Sequence, residues 1–258
     1  MAKYDEIGLD YNSTRTADPW LTERLRCHLK PKPQCTYLDI GCGTGNYTIA
    51  LQEEGTKFIG IDPAQSMLSI AEKKSTSISW KKGSAESIPL PDNAVDGIIG
   101  TLTMHHWADL HAAFKDLKRV CSSGTIVLFT SSPSQMEGYW LNHYFPEMLM
   151  ASAAKMPEIS VIIEAMQAAD FVVEKTEPYF VREDLEDLFL YAGKHRPLFY
   201  IDSEIRKGIS SFSDLANTEE VEEGIMRLKF DIATGEIEQV MRRYQNEDGD
   251  YMFIVGSC

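Results

Sequence analysis

The stretch Tyr37-Leu38-Asp39-Ile40-Gly41-Cys42-Gly43-Thr44-Gly45-Asn46 decides how the rest of this 258-residue chain is read. A short apolar run with an acid, three glycines at alternate positions and a helical pattern read as strand, turn and helix. Glycine lets the backbone take positive φ and come close to a ligand. The helix N-terminus that follows offers N–H groups with no partner inside the helix. Two ligand types suit such a turn. A dinucleotide fold uses G-x-G-x-x-G, whose third glycine packs helix on strand. Here Asn46 stands at that third position, and Asp39 lies two residues before the first glycine. An ordinary tight βα turn without a ligand is the remaining alternative.

Outward from the turn, the pattern of a doubly wound sheet continues. Ile49, Ala50 and Leu51 begin an apolar helical face, and Lys57 to Asp62 reads as a second strand. Asp62 falls about 20 residues past the turn, where such folds place a ribose-binding carboxylate. It also suits a helix N-cap before Pro63, and the two roles are compatible. Met67, Ile70 and Ala71 face a core; Ile78 to Lys82 is a third strand. Ala94 to Thr101 is nearly apolar throughout, as a central parallel strand covered on both faces should be. Leu102-Thr103-Met104-His105-His106-Trp107 follows it, at the strand end where open α/β sheets bind ligands. His105 or His106 is a candidate general base, since imidazole titrates near neutrality; packing against the sheet and helix entry are the plainer alternatives. Leu110, Ala113, Phe114 and Leu117 mark an amphipathic helix before a fifth strand, Thr125 to Thr130.

The flanks are less regular. Residues 1–20 are polar and aromatic, and Leu21, Leu25 and Leu29 then repeat at helical spacing until Pro31 and Pro33. Residues 134–157 carry Tyr139, Trp140, His143 and Tyr144 without a strand pattern, which predicts a helical segment. Its aromatic side chains either line an apolar substrate pocket or fill a core. Ile159, Ile162, Ile163 and Met166 predict a helix, and Phe171 to Val181 a strand. Leu185, Leu188, Phe189 and Ala192 predict another amphipathic helix, with more helix to about Gln245. Tyr251 to Val255 is the last strand.

Over roughly residues 4–130 these features together resemble the class I S-adenosylmethionine (SAM) methyltransferases, of the ubiquinone/menaquinone-methylating-like group. The glycine turn resembles the family's first motif. Gly83-Ser84-Ala85-Glu86-Ser87-Ile88-Pro89-Leu90-Pro91-Asp92 resembles its G-D-A-E-x-L-P-F-x-D stretch, with Ser84 in place of the acid. Arg119-Val120-Cys121-Ser122-Ser123-Gly124 resembles its Arg-Val-Leu-x-Pro-Gly-Gly turn, without the proline and second glycine. The resemblance implies an α/β, Rossmann-like, mostly parallel seven-stranded sheet ordered 3-2-1-4-5-7-6, with an antiparallel last strand and a helical cap. The implied segments are a lid and SAM-binding core (1–133), a cap segment (134–157), more core (158–181), an inserted helical cap (182–248) and a last core strand (249–258).

The same resemblance implies SAM as cofactor and assigns roles around it. Asp39 meets the ammonium beside Gly41, Gly43 and Gly45; Asp62 holds the ribose; Pro63 and Met67 adjoin the adenine; Ser84 and Ala85 stand where the family recognises the adenine amino group. Thr101 closes the strand end. Tyr11 and Arg15 match a Tyr-x-x-x-Arg pattern that folds over the cofactor. The implied reaction moves the methyl group to an O, N, C or S atom of a small molecule, as in quinone-like or secondary-metabolite biosynthesis. A base, His105 or His106, is needed where the acceptor arrives protonated, and Tyr139, Trp140, His143 and Tyr144 are candidate substrate contacts. The family's Asn/Asp-Pro-Pro-aromatic tetrapeptide is absent after the fourth strand, which argues against methylation of nucleic-acid bases.

Composition agrees with a small-molecule role. The net charge is −14, from 25 Lys and Arg against 39 Asp and Glu, and no long basic run appears. That disfavours nucleic-acid and anionic-membrane partners. Met1 to Glu6 lacks the apolar region of a secretory leader, and no apolar stretch reaches spanning length. Cys27, Cys35, Cys42, Cys121 and Cys258 are scattered and without metal-ligand spacing, so no metal is expected. A reducing, cytoplasmic setting and a monomer or homodimer are the simplest expectations. A SAM-binding regulatory protein without turnover remains an alternative, as does an NAD-dependent oxidoreductase, which Asn46 disfavours.

Overall fold

A computed structural model describes residues 15–258 of the chain. Helix α1, Pro19–Leu29, opens with Asp18 as its cap: the carboxylate accepts the Leu21 amide at 2.7 Å, and Pro19 takes the first helical position. Lys30 closes it in the left-handed conformation, one residue before Pro31. Strand and helix then alternate: β1 (Thr36–Ile40), α2 (Asn46–Leu51), β2 (Lys57–Asp62), α3 (Gln65–Lys74), β3 (Ser79–Lys82), β4 (Gly97–Thr101), α4 (Leu110–Val120) and β5 (Thr125–Thr130). Helices α5 (Pro133–Glu137), α6 (Pro146–Ala153) and α7 (Ile159–Ala168) lead to β6 (Val172–Tyr179). Helices α8 (Ser203–Lys207), α9 (Ser210–Asp214), α10 (Thr218–Thr234) and α11 (Ile237–Arg243) precede β7 (Tyr251–Ser257).

The seven strands form one sheet in the order β3-β2-β1-β4-β5-β7-β6, as expected. Strands β1 to β5 pair in parallel, while β7 runs antiparallel to both β5 and β6. The winding reverses between β1 and β4, so the carboxyl ends of those strands part there and leave a crevice. The period-2 pattern of the strands sorts two cores. Leu38, Ile40, Ile98 and Leu128 face α4 and α7, meeting Phe114, Leu117, Ile162 and Met166. Tyr37, Ile99, Val127 and Phe129 face the other way, toward α1 and the aromatic residues that lie outside the alternating pattern.

Two expectations need correction. Strand β4 begins at Gly97 rather than Ala94, because the Asn93 and Val95 amides go to the Arg119 and Val120 carbonyls at the end of α4, at 2.9 and 3.1 Å, rather than to a neighbouring strand. No helix forms over Leu185 to Ala192. The Glu186 amide goes instead to the Asp18 carboxylate at 3.0 Å and the Tyr191 amide to the Tyr251 hydroxyl at 3.4 Å, while the Arg196 guanidinium takes the carbonyls of Leu185 and Ala192. Leu185, Phe189 and Ala192 are all buried, so their spacing reports a threaded, packed segment rather than a helical face. Among the described residues no helix is long and apolar enough to cross a membrane.

Candidate active site

The glycine turn forms the floor of a crevice of about 330 Å³ at the carboxyl ends of β1, β2 and β4. Gly41 and Gly43 both have positive φ, +70° and +53°. They need it for different reasons. A Cβ on Gly41 would stand 1.9 Å from the Thr103 hydroxyl oxygen, whereas one on Gly43 would meet nothing within 4 Å. Gly41 is therefore squeezed by its own protein, and Gly43 leaves space open. Gly45, at φ +76°, backs onto Trp80, whose ring would be 2.4 Å from an added Cβ; it does not line the crevice. The Trp80 contact corrects the expectation that Gly45 faces the ligand.

Two carboxylates border the turn. Asp62 is buried and bridges it to the next element, accepting the Gly43 amide at 2.9 Å and the Ala64 amide at 2.8 Å. The N-cap of α3 is Ala64, without a side-chain cap bond, so Asp62 does not cap that helix as expected; it braces the turn before it while lining the crevice. Asp39 is 2% exposed and accepts the Thr48 hydroxyl at 2.5 Å. Burial raises its pKa to about 7, against the pull of the Thr48 hydroxyl and with added repulsion from Asp62. Between them, Cys42 keeps its thiol, pushed well above its ordinary range by burial and then by both acids. Pro63, Met67, Ser84, Ala85 and Thr101 line the same crevice. The buried Thr101 hydroxyl oxygen has no hydrogen-bond partner among the described residues.

A second cavity of about 370 Å³ adjoins the first, roofed by the helices that follow β5 and β6. Arg15, Leu102 and His106 line both. Leu102 has φ +52°, a left-handed conformation costly for a bulky side chain, held by its amide to the Phe129 carbonyl at 2.8 Å. The next turn, Met104–His106, is a short 3₁₀ segment that presents both histidines to this chamber, their rings 3.9 Å apart. Tyr139 lines the chamber as well, its hydroxyl 2.9 Å from that of Ser131. Trp140, His143 and Tyr144 do not. Trp140 is 1% exposed, donates to the Lys194 carbonyl and packs edge-on against Tyr144 and Tyr200. Tyr144 donates to Asp231 at 2.7 Å, with His143 edge-on to its ring. Trp140 and Tyr144 are core of the helical layer and His143 is half-buried beside them, outside the chamber lining, which corrects the expected substrate contacts. Tyr11 lies outside the described residues.

Several lining residues escaped sequence reasoning. Asp187, 140 positions beyond Tyr47, reaches the crevice from the non-helical segment and accepts the Tyr47 hydroxyl at 3.0 Å. Its other partner is Arg15, through Nε at 2.5 Å and one terminal nitrogen at 3.0 Å. Glu86 braces the Gly83–Glu86 wall by accepting the Ala108 amide at 2.7 Å. Asn46, notable in sequence as a missing glycine, donates to the Arg15 carbonyl at 3.0 Å and accepts from Lys74 at 2.7 Å. Asp187 follows Glu183, Asp184 and Glu186, so nothing local singled it out among its acidic neighbours.

Comparison with known proteins agrees with this geometry. Residues 38–129 match the methyltransferase domain family model. A malonyl-[acyl-carrier protein] O-methyltransferase of Serratia marcescens is 35% identical over 109 residues, 42% of this chain; the chain spans less than half of that relative, 43% of its length. A demethylmenaquinone methyltransferase of Geobacillus stearothermophilus is 26% identical over 66% of this chain and 72% of its own. A solved structure, described as a methyltransferase from an antibiotic biosynthesis pathway of Anabaena variabilis, superposes with a TM-score of 0.84. It is 31% identical, over 95% of this chain and 99% of that one. With the sheet order, the glycine turn and this end-to-end likeness together, the chain belongs to the class I SAM-dependent methyltransferases.

Proposed function

We propose that the protein transfers the methyl group of SAM to a small-molecule acceptor held in the chamber. The observation that carries this reading is the seam: two cavities of ligand size meet at Arg15, Leu102 and His106, so groups bound in each can touch. When bound, SAM supplies a methyl group on a cationic sulfur, which departs with the bonding pair as a neutral thioether when an acceptor lone pair displaces it in line.

The chain's own residues bind, align and exclude water. The open space at Gly43 admits the ligand against the backbone. Asp39 takes the ammonium, and Asp62 accepts the ribose hydroxyls with charge-assisted hydrogen bonds. Pro63 and Met67 pack on the adenine, and Ser84 with the Ala85 backbone binds its edge. The unpartnered Thr101 hydroxyl gains a partner, and Arg15 holds the carboxylate at the seam. His105 or His106 takes the proton of a protic acceptor. The helical segments 134–157 and 182–248 act as a cap that keeps water from the seam. Alignment alone contributes several kcal/mol to such a displacement.

The test is incubation of the full chain with methyl-labelled SAM and fractionated small-molecule extracts. Label appearing in a small molecule is the expected outcome. SAM binding without transfer to any fraction leaves a regulatory SAM-binding protein instead, and NAD binding in its place ends the reading.

A further inference from the structure

Resting on the reading of the crevice as the SAM site, we infer that Asp187 is a positioning residue. It fixes Arg15 at the seam and thereby makes cofactor binding order the helical cap. Asp187 is 1% exposed and belongs to the segment between β6 and α8, which the chain inserts into the cap. Its carboxylate grips Arg15 in a fork and takes the Tyr47 hydroxyl as well. Tyr47 stays a neutral donor, since burial and then Asp187 itself push its pKa well above the ordinary range. One carboxylate thus ties three parts of the chain together: the segment before α1, the first turn of the helix after the glycine turn, and the cap.

Neighbouring contacts repeat the connection. Asn46 holds the Arg15 carbonyl, and the Asp18 carboxylate both caps α1 and receives the Glu186 amide. The segment carrying Asp187 has no helix or strand of its own, so these polar contacts set its course. An arginine fork is directional: with Nε and one terminal nitrogen fixed on Asp187, the guanidinium plane is set before a ligand arrives. A carboxylate of the cofactor that engages the same guanidinium is then felt by Asp187 and by the cap segment. The acceptor chamber, which shares Arg15, takes its final shape after the crevice is filled.

The test uses the full chain and S-adenosylhomocysteine, by titration calorimetry and by amide hydrogen exchange of residues 182–196. Wild type should bind, and binding should slow exchange in that segment by at least tenfold. Asp187→Asn keeps the shape but loses the fork; it should weaken binding at least tenfold and abolish the ligand-dependent protection. Asp187→Glu should restore part of both. Tyr47→Phe, which leaves the ion pair, should change affinity less than threefold. Where loss of the ion pair prevents Asp187→Asn from folding, Arg15→Gln/Asp187→Asn removes both charges and should show the same two losses. Wild-type affinity and protection in a folded Asp187→Asn or in the double variant overturns the inference. Failure of the wild-type protein to bind the ligand at all overturns the crevice assignment instead.

Discussion

The crevice and the chamber lie side by side and share three residues, yet they are built in opposite ways. The crevice is made of strand ends and tight turns: the Gly41–Thr44 backbone, Asp62 two residues before its amide partner, and the Gly83–Glu86 wall. The chamber is made of side chains that start far apart in sequence, from Leu102 through Tyr139 and Phe189 to Tyr251. Backbone geometry at strand ends obeys local rules, so a site built from it is specified by short stretches. A site built from converging side chains is specified by the packing of the whole cap. Substitutions on the two sides should therefore fail differently.

Gly41→Ala should have the largest effect. Its added Cβ would stand 1.9 Å from the Thr103 oxygen and 2.6 Å from the Thr103 Cβ, and Thr103 is itself buried. Together with a positive φ, the overlap should cost about 3 kcal/mol or more of folding stability, read as the midpoint of urea unfolding. Gly43→Ala keeps open space around the new Cβ, so the ligand-free protein should lose only about 1 kcal/mol, from backbone strain. Its affinity for S-adenosylhomocysteine should nonetheless fall sharply. Equal loss of stability at the two positions would mean that neither glycine is reserved for a ligand.

Asp62→Ala comes next. Loss of charge-assisted bonds to the ribose should weaken SAM binding by about 2 kcal/mol, some thirtyfold. The same change removes the carboxylate from the Gly43 and Ala64 amides, so stability falls as well. Asp62→Asn should retain more stability than affinity if both roles are real, and unchanged affinity in either variant would remove the ribose assignment.

Asp39 gives a smaller, pH-dependent effect whose sign is set by its raised pKa of about 7. The folded chain holds a proton there that the unfolded chain gives up near pH 4. Stability from this group is therefore lost as pH rises from about 4 to 7. Pairing with an ammonium requires the ionised form, so SAM affinity should instead fall about tenfold between pH 8 and pH 6. Asp39→Asn should raise the unfolding temperature at pH 8 and flatten the pH dependence of binding. A wild-type affinity independent of pH over that range contradicts the ammonium role.

These contrasts also explain what the sequence disclosed. Apolar runs disclosed the parallel strands, the sheet order came only with the family resemblance, and the turn glycines announced a backbone-lined site. Gly45 was misplaced because a glycine pattern does not tell a residue that faces a ligand from one that makes room for Trp80. Trp140 and Tyr144 were offered to the chamber because aromatic residues mark pockets and cores alike; the hydrogen bonds to Lys194 and Asp231 that turn them inward are long-range. Leu185 to Ala192 mimicked a helix for the same reason, burial at helical spacing without the helix. Asp187 was invisible because its partners lie 140 and 172 positions away.

The smallest expected effect tests the division itself. His105 lines the chamber but not the crevice, whereas His106 lines both. His105→Ala should leave affinity for S-adenosylhomocysteine within twofold of wild type, and His106→Ala should weaken it by a few-fold through lost contact at the seam. Should one of them be the base, turnover of a protic acceptor by that variant should fall by a factor of about 100 or more near pH 7 and recover as pH rises and the acceptor ionises unaided. A variant slowed equally at every pH has lost alignment rather than proton transfer. If His105→Ala and His106→Ala lose the same ligand affinity, the two cavities act as one, and the separation drawn from their linings fails.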